Sequence, residues 1–378
     1  IHQKMQRVFE QVKVVEGQLQ VDDLNLAASK LAAEADHQFG GWGGAPKFPQ
    51  VSHLRFLLRH WHRTGDLPSR DHVLLTCNKM MEAGIHDQLA GGFHRYAVDE
   101  RWLVPHFEKM LYDQAQLLEL YLDVWLVTKD PRYRQVATGI ADYVTGEMQH
   151  DGGGFYSAQD AQSEGKEGKC FCWTLGQMTK LLDRRELAVA TEWFGVSEEG
   201  NFIDHSDPEP LMNLNVIHIA KPDWDLSPRQ SEVLQSAIKK MRKARSERVP
   251  AATDRKVLAD WNGMMIASLA RAGHVLGHAA YLEAAVKAHA FIRTELWDGA
   301  LLYHRWCDGE RDSSQQASSY LQMMAGSLGL YQATLDAQYL GFAIVLAEGA
   351  RRIFYDELGG GFYVGAERPD LVLRLKDD

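Results

Sequence analysis

Apolar residues recur along this chain at the three- and four-residue intervals of amphipathic helices, and the helices themselves recur. Three windows, 130–156, 279–303 and 337–363, align on Tyr133, Tyr281 and Tyr339, each followed four residues later by Ala137, Ala285 or Ala343. Fifteen residues after each tyrosine stands a bulky apolar residue, Met148, Leu296 or Phe354. A glycine-containing turn then closes on Tyr156, Tyr303 or Tyr363. Another apolar-periodic helix precedes each window, at 117–127, 264–276 and 324–335. The repeating unit is therefore a helical hairpin whose second helix runs into a glycine turn. Two earlier stretches, GGWGGAPKF at 40–48 and GGFHRY at 91–96, carry the turn in altered form, among helices at 22–38, 51–61 and 70–83.

Repeated hairpins with their turns at one end build an open solenoid or a closed ring. Irregular spacing and a loop-rich insertion at about 157–255 favour the ring. The expected fold is all-α: an (α/α)6 toroid in a single domain over 1–378, with short β-hairpins at the glycine turns. Such a ring needs twelve helices, and the pattern places ten or eleven. The last residues alternate Leu371, Leu373 and Leu375 as a strand does, so the ring is expected to be incomplete at its C-terminal side. The insertion reads as a polar loop, a strand around Phe171 and Trp173, short helices at 177–182 and 187–194, extended segments, and a long helix at 229–247.

Chemically capable side chains concentrate in 84–113, where Asp87, His94, Arg95, Asp99, Glu100, Trp102, His106, Glu108 and Asp113 fall within thirty residues. Gly91-Gly92 permit backbone angles that other residues resist, and Pro105 suits the first turn of a helix. The expectation is a helix ending near Gly84, a glycine turn, a strand at 93–98 and a new helix opening at Pro105. His106 then sits in the first helical turn, with Asp113 seven residues on along the same face.

Composition works by exclusion. An apolar fraction of 45% and a charged fraction of 24% are those of a globular protein. With 41 basic and 51 acidic residues the formal charge is −10, which gives no attraction to nucleic acid. The one basic run, 239–248, is interrupted at helical spacing by Met241, Ala244 and Ser246 and reads as a solvated helix face. No apolar stretch approaches the ~20 residues that span a bilayer, so no membrane partner is expected. Four cysteines and no glycosylation sequon fit a reducing compartment, the cytoplasm. Cys170 and Cys172 are spaced too closely for the common zinc knuckles and read as apolar fillers. The glycine stretches lack the strand-to-helix setting of a dinucleotide fingerprint, and no Walker loop, HExxH or Gly-x-Ser-x-Gly occurs. Neither cofactor nor metal is expected.

Four segments, GGWGGAPKFPQ, GGFHRYAVDERWLVPHFEKMLYDQAQLL, GGGFYSAQDAQSEGKEGK and VLADWNGMMI, resemble the spermatogenesis-associated protein 20 family, which includes bacterial YyaL-type proteins. The resemblance runs from about Ala32 to the C-terminal RLKDD. It implies a six-hairpin (α/α)6 fold similar to N-acylglucosamine 2-epimerases and glycosidases. It also implies a thioredoxin-like domain at the N-terminal side of relatives and a helical segment after RLKDD, neither of which is expected here. Two departures stand out. Where the family pattern reads Ser-Ala-Glu-Asp-Ala-Asp-Ser, this chain has Gln159 and Gln162 and keeps Asp160. Where relatives read Leu-Glu-Asp-Tyr-Ala, it has Leu321-Gln322-Met323-Met324-Ala325, so both acids and the tyrosine of that pattern are absent.

In an α/α toroid the turns at one end of the ring line a central cleft, so residues distant in sequence are expected to converge there. The candidate catalytic residues are His94, His106, Asp87, Asp99 and Asp160. A histidine beside a carboxylate can exchange protons near neutrality. The candidate ligand-binding residues are Lys47, Trp102, Asp113, Trp261 and Asn262, since tryptophan faces suit the C–H surfaces of sugars. Glu108 and Arg101 read as an internal ion pair. Each candidate has a plainer reading: an Asp or His that caps backbone groups, or a Trp that lines the inner wall. Two function classes follow. One is an enzyme acting on a sugar or oligosaccharide, by epimerisation with His94 and His106 as acid and base, or by hydrolysis with two carboxylates. Inversion would set those carboxylates ~6.5–9.5 Å apart. The other is a non-catalytic binding or scaffold module serving the thioredoxin-like domain of relatives.

Overall fold

The computed structural model describes residues 20–368 and 374–376. Among them the chain forms twelve α-helices, two more than the lower sequence estimate. In order these are α1 (Val21–Ala33), α2 (Val51–Thr64), α3 (Leu67–Glu82), α4 (Leu111–Thr128), α5 (Pro131–Tyr143), α6 (Leu175–Leu181), α7 (Arg184–Phe194), α8 (Pro228–Ser246), α9 (Ala259–Leu276), α10 (Ala279–Glu295), α11 (Ala317–Thr334) and α12 (Ala337–Phe354). The strands are two or three residues long: β1 (Tyr96–Ala97), β2 (Pro105–His106), β3 (Lys109–Met110), β4 (Ala158–Gln159), β5 (Gln162–Ser163), β6 (Lys166–Glu167), β7 (Thr253–Asp254), β8 (Val257–Leu258), β9 (Arg305–Cys307) and β10 (Glu310–Arg311). Every strand pairing is antiparallel.

The described residues pack as two compact units. One holds 28–149 and 157–254; the other holds 20–27, 150–156 and the residues from 255 onward. Within each, the repeat seen in the sequence is what the core is made of. Tyr133, Ala137 and Met148 are buried in the first unit, and Tyr281, Ala285, Leu296, Tyr339, Ala343 and Phe354 in the second. The tyrosine and alanine stand on one face of α5, α10 and α12, one turn apart. In the second unit α9 and α11 approach closely enough that a Cβ on Gly263 would come within 2.5 Å of Met323 N, and one on Gly326 within 2.7 Å of Gly263 O. Only glycine lets the two backbones meet there.

Three of the glycine turns are held to the next helix by a side chain from that helix's fourth residue. Gln114 of α4 accepts the Phe93 N–H at 2.8 Å and donates to the Phe93 carbonyl at 2.7 Å. Asn262 of α9 accepts the Phe155 N–H at 2.8 Å and donates to the Phe155 carbonyl at 3.0 Å. Tyr320 of α11 accepts the Leu302 N–H on its hydroxyl at 2.8 Å. Phe93, Phe155 and Leu302 are fully buried, so these backbone groups have no access to water and depend on the clamp. Asn262, proposed from sequence as a ligand contact, is one of the three clamps.

Sequence and structure differ at Pro105. No helix opens there. Tyr96 pairs with His106 and Ala97 with Pro105, and Lys109–Met110 pairs with Ala158–Gln159 before α4 begins at Leu111. Proline has no amide to give a ladder, but the edge of a two-residue strand needs none from it. His106 therefore lies in a strand and shares no helical face with Asp113. At the C-terminal side Leu371 and Leu373 lie outside the described residues. Leu375 is exposed, and its carbonyl accepts the Val364 N–H at 2.8 Å. The insertion's helices follow their sequence pattern: α6, α7 and α8 bury Met178, Ala190, Phe194, Leu234, Ala237 and Met241 together with Trp173 and Leu89. The strand expected around Phe171 and Trp173 is instead a turn at Phe171 and a single bridge from Trp173 to Asn215. No helix among the described residues is long and apolar enough to cross a membrane.

Replacing Gln114 with alanine leaves the Phe93 N–H and carbonyl buried without partners, at a cost of roughly 1–3 kcal/mol. Gln114→Ala is expected to lower the denaturation midpoint clearly, while Gln116→Ala on the same helix does not. Equal midpoints for the two variants would contradict the clamp.

Candidate functional site

Asp87 sits at the start of the turn that carries Gly91, and its carboxylate organises the surroundings. Oδ1 accepts the N–H groups of Leu89 and Ala90 at 3.1 and 3.0 Å, which closes the turn. Gly91 completes it at φ +78°, its Cα so near Gly139 that a Cβ would stand 2.3 Å from the Gly139 carbonyl oxygen. Lys109 reaches Asp87 Oδ2 at 2.7 Å, and Arg245 of α8 grips both oxygens at 2.7 Å each. Burial alone raises the Asp87 carboxyl, but the charges of Arg245 and Lys109 outweigh it and hold the group well below the usual carboxylate range. Burial pushes Lys109 down from its ordinary value, against the pull of Asp87. His94 lies next to this cluster, with its Nδ1 2.9 Å from the Phe107 carbonyl oxygen and its ring edge-on to Phe107 and Phe171. Burial, followed by the charge of Lys109, drives His94 down to about 3. Asp87 and His94 are thus enclosed, one ionised and one neutral.

The β1–β2 hairpin presents a different environment one step outward. His106 Nδ1 meets Glu167 Oε1 at 2.8 Å and His106 Nε2 meets Glu108 Oε2 at 3.3 Å, so the imidazole bridges two carboxylates. The hydrogen bond to Glu167 is the chief reason its proton affinity is raised above 6.5, with burial opposing and both glutamate charges assisting. From sequence the carboxylate neighbour expected for His106 was Asp113, on the same helical face; the observed neighbours are Glu108 and Glu167. Glu108 also meets Arg95 at 3.1 Å, and Arg95 hydrogen-bonds Tyr112 beside Asp113. Burial pushes the Asp113 carboxyl up to about 8, the Arg95 charge and a hydrogen bond with Tyr112 pulling the other way. Its Oδ2 is buried with no hydrogen-bond partner among the described residues. His106 stacks on Tyr96 with ring centres 5.0 Å apart, and Tyr96 leans on Phe48 at 4.8 Å. Phe48 is exposed, and His106, Glu108 and Glu167 are part-exposed, so this side is open to a ligand.

The remaining candidates lie elsewhere. Asp99 accepts the N–H groups of Arg101 and Leu103 and closes its own turn. Trp102 holds φ at +68°, is fully buried, and donates from its indole to the Phe39 carbonyl at 2.9 Å, so it presents no face to a ligand. Lys47 is buried, paired with Asp36 and the Glu100 carbonyl, and sits over the Trp102 ring. Asp160 is exposed and accepts the Gln162 N–H. Trp261 belongs to the other unit, as does Asn262. Glu108 pairs with Arg95 and His106; Arg101 is exposed. Sequence reasoning passed over Glu167, which read as part of a polar loop, and Arg245, which read as part of a solvated run. A signal for Arg245 existed: it continues the stripe of Leu234, Ala237 and Met241 on α8. Among the described residues no three His, Cys, Asp or Glu side chains converge as metal ligands would.

No family model matches the chain. Spermatogenesis-associated protein 20 of Mus musculus is 32% identical over 384 residues, covering 91% of this chain and 48% of that protein. The Homo sapiens protein of the same name is 34% identical over 397 residues, covering 94% and 50%. The chain belongs to the spermatogenesis-associated protein 20 family. It spans about half the length of the curated relatives it matches. Among solved structures it is similar to a GH76 α-mannanase of Bacteroides thetaiotaomicron, with a TM-score of 0.55 at 12% identity over 90% of this chain and 73% of that one. It is also similar to an unsaturated glucuronyl hydrolase of Bacillus sp. GL1, with a TM-score of 0.51 at 14% identity over 84% and 66%. At such identities the likeness shows the fold alone, that of the six-hairpin α/α toroid.

Asp113 gives a test through pH. Its folded carboxyl holds a proton that the unfolded chain gives up near 3.8, so wild-type stability falls as pH rises from there towards about 8. Asp113→Asn has no such proton to lose. Denaturation across that range is expected to show the variant gaining on wild type as pH rises; parallel curves would mean Asp113 is not held protonated.

Proposed function

We propose that the site around His106 binds a carbohydrate and moves protons to and from it. The observation that carries this reading is the bridged imidazole: a part-exposed His106 between Glu108 and Glu167. A histidine with raised proton affinity keeps its proton further up the pH scale than a free imidazole and can deliver it as an acid, and the two flanking carboxylates receive or relay the proton it exchanges. Asp113 supplies a second acid, a carboxyl kept neutral by burial. Between them Arg95 fixes Glu108 and Tyr112, so the groups form one connected chain from Glu167 to Asp113. The stack of Phe48, Tyr96 and His106 offers an aromatic strip suited to the C–H face of a sugar ring. The fold supports the same substrate class, since solved proteins sharing it include a mannanase and a glucuronyl hydrolase.

On this reading the reaction centres on His106 alone among the histidines. His94 takes no part, being neutral, enclosed and bonded to the Phe107 carbonyl. Whether the proton goes to a glycosidic oxygen or a ring carbon is decided by the product: a shorter saccharide for hydrolysis, an isomer of equal mass for epimerisation.

The test is a panel of saccharides assayed by mass spectrometry and reducing-end analysis with the full-length family member. Active substrates are expected to lose ~10²-fold or more in kcat with His106→Ala and with Glu167→Gln, because general acid–base catalysis is worth that much. The denaturation midpoints of these surface-reaching variants are expected to change little. Turnover that survives both substitutions would overturn the assignment.

A further inference from the structure

The Asp87 cluster holds more positive charge than negative. Lys109 and Arg245 share this one carboxylate, and among the described residues no other acid lies within ion-pair distance of either. Glu147, whose charge also reaches Arg245, is exposed to solvent. Lys109 sits 4.1 Å from the Tyr143 ring centre and 5.3 Å from that of Phe171, and Arg245 lies 5.4 Å from Phe171. These ring faces soften the surplus charge without cancelling it. A buried charge left unpaired is costly, so a compensating group is called for.

A cavity adjoins the surplus. It measures about 20 Å³ and lies between residues of the 84–89 turn, among them Asp87, and His94, Phe171, Arg245 and the apolar Val216 and Ile217. That is room for a single water or one ion of halide size. Asp87 faces it, but five donors already occupy its two oxygens: Lys109, two from Arg245, and the N–H groups of Leu89 and Ala90. Arg245 spends two of its five N–H groups on Asp87 and keeps three for a further acceptor. The cavity therefore joins a cationic surplus, a guanidinium with donors left over and a volume on the scale of one small ion.

We propose that this cavity binds one small monovalent anion, chloride in the cell, held by Arg245 and balancing the second cation of the cluster. The site is separate from the carbohydrate reading and stands or falls without it. Its occupant would complete the buried network that fixes the 84–94 turn beneath the His106 hairpin.

The experiment holds ionic strength constant while sodium methanesulfonate, too large for the cavity, is exchanged for sodium chloride or sodium bromide. The melting temperature is expected to rise with halide and saturate, as binding to the folded state alone requires. Crystals soaked in bromide are expected to show an anomalous peak within hydrogen-bond reach of the Arg245 guanidinium. Lys109→Met leaves Asp87 and Arg245 in balance, and is expected to lose both the halide response and the peak. Should that variant fail to fold, the wild-type bromide map decides. A melting temperature indifferent to halide, or bromide confined to the surface with only water in the cavity, overturns the proposal.

Discussion

One buried carboxylate sets much of the first unit. Asp87 closes its own glycine turn, receives Lys109 from β3 and receives Arg245 from α8, so three segments far apart in sequence meet at two oxygen atoms. Desolvating such a group is unfavourable, and only the two cations make the arrangement stable. Removing one partner of a buried pair costs about 3–5 kcal/mol, whereas an exposed pair is worth at most about 1. The geometry is accordingly stringent: the turn, the strand and the insertion helix are correct together or not at all.

That stringency reaches the candidate site through the chain itself. Lys109 is the neighbour of Glu108, and β3 leads directly into α4, which carries Tyr112, Asp113 and the Gln114 clamp. With Lys109 pinned inward, Glu108 points the other way, as alternation along a strand dictates, and meets His106 and Arg95. The inner layer is closed and its histidine neutral; the outer layer is open and its histidine bridged between acids. Two histidines twelve residues apart thus acquire opposite chemistry from burial and neighbours alone.

The fold was legible in the sequence because a repeat constrains it many times over. Tyr133, Tyr281 and Tyr339 with their alanines marked the buried faces, and every one is buried. The insertion helices were legible from their own periodicity. The site was legible only as a region. Pro105 suggested a helix because proline at a helix start is a local preference, whereas the pairing of β2 with β1 and of β3 with β4 is set by residues up to fifty positions away. Trp102 and Lys47 carried the composition of a sugar site, yet both are buried against their own neighbours. Asn262 lay at the mouth of a helix and proved to be a backbone clamp. Glu167 lay in an unremarkable polar loop, and only the folded chain brings it to His106. Identity and local spacing indicate which side chains are capable; long-range pairing decides which are employed.

The proposed chemistry requires His106 to hold its proton above 6.5 within reach of a ligand, while His94 stays enclosed and neutral. Ring-nitrogen NMR of histidine-labelled protein, titrated with pH and then with a panel of saccharides, reads both properties at once. His106 is expected to stay doubly protonated above 6.5 and to shift when a saccharide binds, while His94 stays neutral and still. A neutral His106 near pH 6.5, or a saccharide that binds without moving its resonance, would contradict the account.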